Sequence, residues 1–583
     1  MRIRPPQAIS YDEFARMFRR CTPPRMGWSP KIGVANSGGP DSTCLLFLIH
    51  RHLAEDPQVS KQDLPRSVVS LTVDHDLQES SAAMAEHCAK VARSIGADHL
   101  TSKIPWSEAP YPPRPSPGQM FENIARNARY HSLFAAMTHV EVGVIAFGHH
   151  ADDQVETSLM RLGRGTTELG AGGMRRCRRW GMGMGKDENS LAWAGYEGMK
   201  RWIMRPLLDV SKDRILATCE ANNLEYVTDK TNFQPHITLR NALRHRIQGI
   251  NTGLDSQAGE EPVPTDIAEK LASIEKAVSS LKSVSVTLDS GADQLRSAVS
   301  VLTSNVEDID SEVDSILKRS QLPSFPGTYL ISSRGISKVR DDVLRKAMIL
   351  RIMRYISFHP WGSIRADGNR RKHSLDQIIE KIWDPSPFRS IFVAGGGVLW
   401  TPVSVRGNRI KTPDRVAAAG VKLADETFGW LASRQPPVGR QKLKERGIPN
   451  TLEIEVTSNL IEALKNRKNG GHSIVQILYD CRFLVHFDLE KIPEDLATQL
   501  LLPRTEGADK IMLYSRTRWY WPMVVREEST GTKDVLHSKI DENPTNLLLQ
   551  GEETDCSSYW RPHDAGISSQ WITIEWIRSL DAL

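Results

Sequence analysis

Two short stretches of the chain carry residue types that could do chemistry on a phosphate. The first is Ser37-Gly38-Gly39-Pro40-Asp41-Ser42, directly after the apolar run Ile32 to Ala35. That run reads as a buried strand, and Ser42 to Leu53 reads as a helix capped by Asp41 or Ser42. Adjacent glycines let backbone N–H groups approach an anion, and the helix N-terminus adds about half a positive charge. Ser37, Asp41 and Ser42 add hydroxyls and a carboxylate that suit phosphate oxygens and a Mg²⁺ ion. A Walker A loop would carry a lysine after its last glycine; none stands here, so the loop is not read as built around a γ-phosphate. The second stretch is His149-His150-Ala151-Asp152-Asp153-Gln154-Val155-Glu156. Asp152 and Glu156 fall one turn apart on the same side of a helix. Three carboxylates in five residues repel one another, so a Mg²⁺ or an ammonium partner is expected. His149 and His150 are placed to contact phosphate or to position a nucleophile. Acids in a first helical turn also serve the helix dipole, which accounts for one aspartate but not for both histidines.

Side chains of this kind need strand ends to hold them. Residues 31 to about 250 alternate strand and helix, as an α/β sheet domain does. Ser67 to Val73 reads as a strand ending at Asp74-His75, Ser80 to Ile95 as a helix and Asp98 to Ile104 as a strand. The Pro-rich stretch Pro105 to Pro117 is a loop, Gln119 to Val140 a long helix, and Val144 to Phe147 a strand running into His149. Open α/β sheets bind ligands at the carboxyl ends of their strands. Here the ends at Ala35, Val73 and Phe147 deliver Ser-Gly-Gly, Asp-His and His-His-x-Asp-Asp in turn. Beyond them come Met204 to Leu208 as a strand end, Lys212 to Asn223 as a helix, Asp229 to Asn232, and a basic helix with Arg240, Asn241, Arg244 and Arg246.

The loop resembles the pyrophosphate loop of the N-type ATP pyrophosphatases (the PP-loop superfamily). Within that superfamily the chain resembles the tRNA(Ile)-lysidine synthetase family. The resembling pieces run in the family's order: Ser37 to Ser42; Val73-Asp74-His75; Glu122 with Arg126, Arg129 and Tyr130; and His149 to Thr157. Arg164-Gly165, Gly173-Met174, Arg205-Pro206-Leu207-Leu208, Asp229-x-x-Asn232, Arg240-Asn241 and Arg244 complete the set, over residues 31 to 250. The resemblance implies a parallel sheet of the adenine-nucleotide α-hydrolase kind in residues 31–250 and a helical tRNA-contacting domain at 267–412; residues 415–583 read only as a mixed α/β appendage with no assigned role. It implies ATP and Mg²⁺ as cofactors, tRNA and free L-lysine as partners, and ligation of lysine to carbon 2 of a wobble cytidine through an adenylated cytidine. Nucleotide binding then falls to Ser37, Gly38, Gly39, Pro40, Asp41, Ser42, Asp74, His75 and Arg164. Chemistry falls to Asp41, His149, Asp152, Asp153, Glu156 and Arg126, with Mg²⁺ on Asp41 and Asp153, and Glu156 or Asp152 taking the lysine ammonium. Two departures stand out: the family's Asp-His-Gly-Leu-Arg is here Asp74-His75-Asp76-Leu77-Gln78, and insertions at about 105 to 118 and 175 to 200 lengthen loops around the expected site.

Composition bounds the rest. With 583 residues the chain has room for two to four domains, and 75 basic against 70 acidic residues leave only +5, which neither requires nor excludes RNA. No apolar stretch is long enough to span a membrane. Seven scattered cysteines without a Cys-x-x-Cys pair fit a reducing compartment and leave tRNA sulfur transfer, a rival activity in this superfamily, without its usual pair; the other alternative, a non-catalytic RNA-binding protein that kept the fold, would need neither the intact loop nor His149 to Gln154. Residues 1–30 hold Arg2, Arg4, Arg16, Arg19, Arg20 and Arg25, with Phe14, Met17 and Phe18 on one helical side; this is the pattern of a mitochondrial targeting segment or of an ordinary basic N-terminus. Gly163 to Gly185 reads as a flexible loop whose Arg175, Arg176, Arg178, Arg179 and Trp180 would grip an RNA backbone and stack on a base. Residues 251–266 read as a linker, and past about 415 only scattered strands are legible.

Overall fold

A computed structural model describes residues 5–24, 27–55, 64–108, 110–115, 121–183, 193–227, 238–252, 264–363, 366, 372–384, 390–406, 409–411, 426–447, 450–467, 473–503, 508–516, 519–540 and 567–582. The chain divides into two units, residues 1–180 with 200–308, and residues 181–199 with 309–582. These boundaries differ from the expected domains. The helix Ala292–Ser320 is continuous across the cut, so the helical middle region is not a unit of its own.

The first unit is a six-stranded α/β sheet. Strands β1 (Lys31–Ala35), β2 (Ser67–Asp74), β3 (Asp98–Lys103), β4 (Val144–Ala146), β5 (Cys177–Arg179) and β6 (Trp202–Met204) lie in the order β3-β2-β1-β4-β6-β5. All neighbours are parallel except β5, which runs antiparallel to β6. From β1 the chain winds outward through β2 and β3, then returns to lay β4 on the other side of β1. The order therefore reverses between β1 and β4, and a parallel sheet opens its ligand crevice at that switch point. Buried on both faces, β1 and β2 are nearly continuous apolar runs, as interior parallel strands are.

Helix α1 (Tyr11–Arg19) precedes the sheet and α2 (Pro40–Glu55) follows β1; α3 (Ser81–Ile95), α4 (Phe121–His139) and α5 (Ala151–Gly163) follow β2, β3 and β4. The helix after the loop starts at Pro40, not at Asp41 or Ser42. Proline suits a first helical position, where its missing N–H costs nothing. The apolar side of α1, expected to serve a targeting segment, is packed into the core: Phe14 and Phe18 are buried, and Phe18 stacks on Trp28 at 4.6 Å.

The basic stretch after residue 163 is also ordered where it is described, as a short helix Glu168–Ala171 and strand β5. Arg176 holds Asp209 at 2.7 and 2.9 Å and Glu307 at 2.9 Å, Arg179 lies over the Trp202 ring, and Trp180 is buried against Tyr130 and Phe134. These side chains hold the sheet edge together, so the expected RNA-gripping loop is corrected. Asp229 to Asn232 and most of the expected linker lie outside the described residues.

The second unit is built on antiparallel sheets, one of five strands with a sixth paired alongside, one of four and one of three. It includes the hairpin Phe392–Ala394 with Val398–Arg406, which turns through Gly395 to Gly397. Its strands include Phe483–Asp488, Trp521–Glu527 and Ile572–Trp576.

Candidate nucleotide site at the sheet's switch point

The loop leaving β1 is shaped from within. The Asn36 side chain accepts from Gly38 N (3.0 Å) and from Ser42 Oγ (3.1 Å), and donates to Ser70 Oγ on β2 (3.1 Å). Ser37 N donates back to Ser42 Oγ at 3.2 Å. Gly38 sits at φ +77°, and a Cβ there would meet Cys88 Sγ at 2.9 Å, so only glycine fits. At Gly39 an added Cβ would find only Ser37 Oγ, at 3.8 Å, leaving open space above the turn. The N–H groups of Gly39, Asp41 and Ser42 take no partner among the described residues. Unmade donors at the start of a helix, beside open space, form an anion seat.

The loop after β4 closes in from the other side. A Cβ on Gly148 would lie 2.8 Å from the Asp41 backbone, so glycine is needed for the two loops to touch. His150 then reaches three carboxylates. Its Nε2 is 3.7 Å from Asp41 and 3.6 Å from Asp153, and its Nδ1 is 3.4 Å from Asp152. Burial pushes the imidazole pKa down, but Asp153, Asp152 and Asp41 outweigh it and hold His150 above its ordinary value. Burial raises the Asp152 carboxyl, yet the bond to His150, the Lys212 N–H at 2.9 Å and Arg296 at 2.5 Å leave it well below the usual range. Lys212 also lays its ammonium 2.6 Å from Asp41. His149 goes the other way. Burial, and then the Arg205 guanidinium 3.3 Å from its Nδ1, push its pKa down to about 3, so the ring is neutral at physiological pH.

Glu156 is not a free catalytic acid. It is 2% exposed and lies between Arg240 (2.6 Å) and Arg244 (2.8 Å), which closes it to a small-molecule ammonium. Burial is the largest influence on its carboxyl and holds it above the ordinary range against both arginines. The cations expected beside the three acids are thus mostly arginines from distant segments, with Lys212 reaching Asp41. Asp74 and His75 end β2 as expected, with burial and then Arg129 lowering His75 to about 4. Asp76, in the place of the family's glycine, has φ +50°, a conformation that aspartate tolerates better than most residues. Its carboxylate lies 3.2 Å from Lys103. Arg126 lies over Tyr130, whose ring stacks on Phe147, which in turn stacks on His149. Arg164 does not join the site. It caps the far end of α5, twelve residues beyond Asp152, or about 18 Å along the helix at ~1.5 Å per residue.

Sequence reasoning missed Asn36 and Lys212 as site residues, and missed Arg205 and Arg296 as partners of His149 and Asp152. The signal for Asn36 was its place between the strand and the first glycine. The others sit 56 to 171 residues from their partners, where no local spacing points to them.

Among the described residues no cluster of three or more His, Cys, Asp or Glu side chains is arranged to hold a metal, and no helix is long and apolar enough to cross a membrane. The family model of the PP-loop domain matches residues 11–249. The chain is 33% identical to a tRNA(Ile)-lysidine synthase from Rhodopseudomonas palustris over 236 residues, 40% of this chain and 56% of that protein. It is 32% identical to one from Methylobacterium nodulans over 38% of this chain and 55% of that protein. To one from Alkalilimnicola ehrlichii it is 34% identical over 38% of this chain and 41% of that protein. The chain spans about half the length of the curated relatives it matches. A solved structure of the U34-tRNA thiolase NcsA from Methanococcus maripaludis overlaps 47% of this chain and 81% of its own at a TM-score of 0.29 and 12% identity, too loosely to bear on function.

Proposed function

With residues 11–249 a PP-loop domain, we propose that this chain is an ATP-dependent tRNA(Ile)-lysidine synthetase, joining free L-lysine to carbon 2 of the wobble cytidine in a CAU-anticodon tRNA. The observation that carries the reading is the meeting, at the β1/β4 switch point, of an open anion-binding turn with three carboxylates gathered on His150. In the first step the cytidine O2 attacks the α-phosphate of ATP, the bond to the β-phosphate oxygen breaks, and pyrophosphate leaves. In the second the lysine ε-amine attacks carbon 2 of the adenylated cytidine and AMP departs.

The chain's own residues divide the work. The free N–H groups of Gly39, Asp41 and Ser42 receive the pyrophosphate, donors held ready where charge develops. His150, its pKa raised by its three acids, is biased toward its charged form beside the loop. His149, neutral and accepting from Arg205 at Nδ1, keeps its proton on Nε2, from which it can donate a hydrogen bond to a phosphate or base oxygen. Asp41 and Asp153 both bring a hard carboxylate oxygen near Nε2 of His150 and are the residues that would hold a Mg²⁺ there. When bound, such an ion neutralises charge on the phosphates. Asp152 is tied to Arg296 and Lys212, so a lysine ammonium would have to displace one of them. The rival sulfur-transfer reading finds no exposed carrier, because all six described cysteines are buried. The basic residues of 1–30 are the whole ground for a mitochondrial address, and the apolar residues among them serve the core.

The test mixes the protein with ATP, labelled lysine and CAU-anticodon tRNA, and separately with a UAU version. Label held covalently in the first alone, with pyrophosphate release dependent on tRNA, is the expected result. Equal labelling of both, or label lost to mild base as an ester would be, removes the assignment.

A further inference from the structure

The Ser37 to Ser42 loop has no lysine of its own, yet an ammonium stands at it. Lys212 opens the helix Lys212–Ala221 and places Nζ 2.6 Å from Asp41 Oδ1. The two side chains are 31% and 30% exposed, so the pair borders accessible space rather than the core. Its backbone is anchored, because Lys212 N donates to Asp152 Oδ2 at 2.9 Å. The same stretch of chain holds the loop at two further points, with Cys219 Sγ donating to Pro40 O at 3.7 Å and Val227 N to Gly38 O at 2.9 Å. The ammonium is therefore fixed in register with the unmade N–H groups of the turn. Part-exposed ion pairs contribute little to folding, so stability alone gives this anchoring little purpose.

We infer that Lys212 is the phosphate-binding lysine of this site, supplied from a helix some 170 residues downstream of the loop instead of from the loop itself. With a nucleotide present, its ammonium turns from Asp41 to the β- and γ-phosphates, the part that leaves as pyrophosphate. AMP, which lacks those phosphates, makes no use of it. The inference rests on the nucleotide reading above.

The test is equilibrium binding of ATP, inorganic pyrophosphate and AMP to the full chain and to Lys212→Met, Lys212→Arg and the double variant Asp41→Asn/Lys212→Met. A charged hydrogen bond lost to phosphate should weaken ATP and pyrophosphate binding by roughly tenfold or more in Lys212→Met. AMP affinity and the melting temperature stay as in the parent, Lys212→Arg retains most of the affinity, and the double variant stays defective. An equal loss of AMP, unchanged ATP binding, or full recovery in the double variant, which would make the lysine a mere neutraliser of Asp41, overturns the inference. If the parent chain binds neither ATP nor pyrophosphate, the nucleotide reading falls with it; if the parent binds both and Lys212→Met matches it, only the lysine assignment fails.

Discussion

Each unit of the molecule holds a tight cluster of opposite charges, and the two clusters are built for different ends. In the first unit Asp41, Asp152 and Asp153 surround His150 with side chains 15–30% exposed, at strand ends, next to N–H groups left unmade. In the second, Asp480 lies between Arg434 (2.9 Å) and Arg482 (2.7 Å), and all three side chains are at most 5% exposed. Aromatic rings seal that second cluster. Arg434 lies over Phe358 and Tyr520, and Arg482 over Phe483 and Trp576. Burial pulls Arg482 below its ordinary pKa even with Asp480 beside it. A charge cluster marks a site of chemistry only when it leaves room and donors for something else; a sealed one is a structural post.

The largest break with this contrast should come from Asp480→Ala. Removing the acid leaves two buried guanidiniums uncompensated, so urea unfolding should show a loss of about 3–5 kcal/mol. A loss below 1 kcal/mol would mean that water reaches the cluster. Asp41→Ala should do the converse: tRNA-dependent pyrophosphate release falls at least about a hundredfold, near 3 kcal/mol at the barrier, while the melting temperature hardly moves. Full activity in a folded Asp41→Ala protein would put the chemistry elsewhere.

A third effect is in pH. The folded pKa of His149 lies near 3 against 6.5 for the unfolded ring, so between those values the unfolded chain carries the extra proton and stability falls as pH falls. Its contribution is fully present above about pH 6.5 and drains away toward pH 3. His149→Gln should lessen the acid slope of stability by up to about 1.4 kcal/mol per pH unit in that window. An unchanged slope would show the ring already hydrated. The smallest effect expected is on RNA. Arg176→Gln should leave the salt dependence of tRNA binding unaltered, because this guanidinium is committed to Asp209 and Glu307; a slope reduced by about one would mean a phosphate contact after all.

Much of the first unit was legible in the chain because its signals are local. The apolar runs of β1, β2 and β4 each end in the polar residues that later meet, and the glycines of the loop stand where φ and close approach demand them. What was not legible depended on pairing across distance. Arg175 to Trp180 look like a free basic loop until Arg176 finds Asp209 and Glu307, and Trp180 finds Tyr130. Glu156 looks like a catalytic acid until Arg240 and Arg244 close over it. Phe14 and Phe18 show the same amphipathic spacing whether the other face is a membrane receptor or the core of their own domain. In the second unit the strands were visible one by one, but antiparallel partners as far apart as His486 and Thr573 leave no trace in either stretch alone.

Residues 181–199 belong with the second unit although they interrupt the first between β5 and β6. Met182 and Met199 share a core with Trp361, Leu484 and Ile577. A ribosome makes this segment well before those partners, and at ~5–20 residues per second the wait runs to about 10–35 seconds for Trp361 and about 20–80 seconds for Ile577. Through that interval the sheet of the first unit can close around an insert whose apolar side chains have nowhere to go. Translation speed and chaperone supply, rather than the stability of the finished protein, should then govern how much of it survives synthesis.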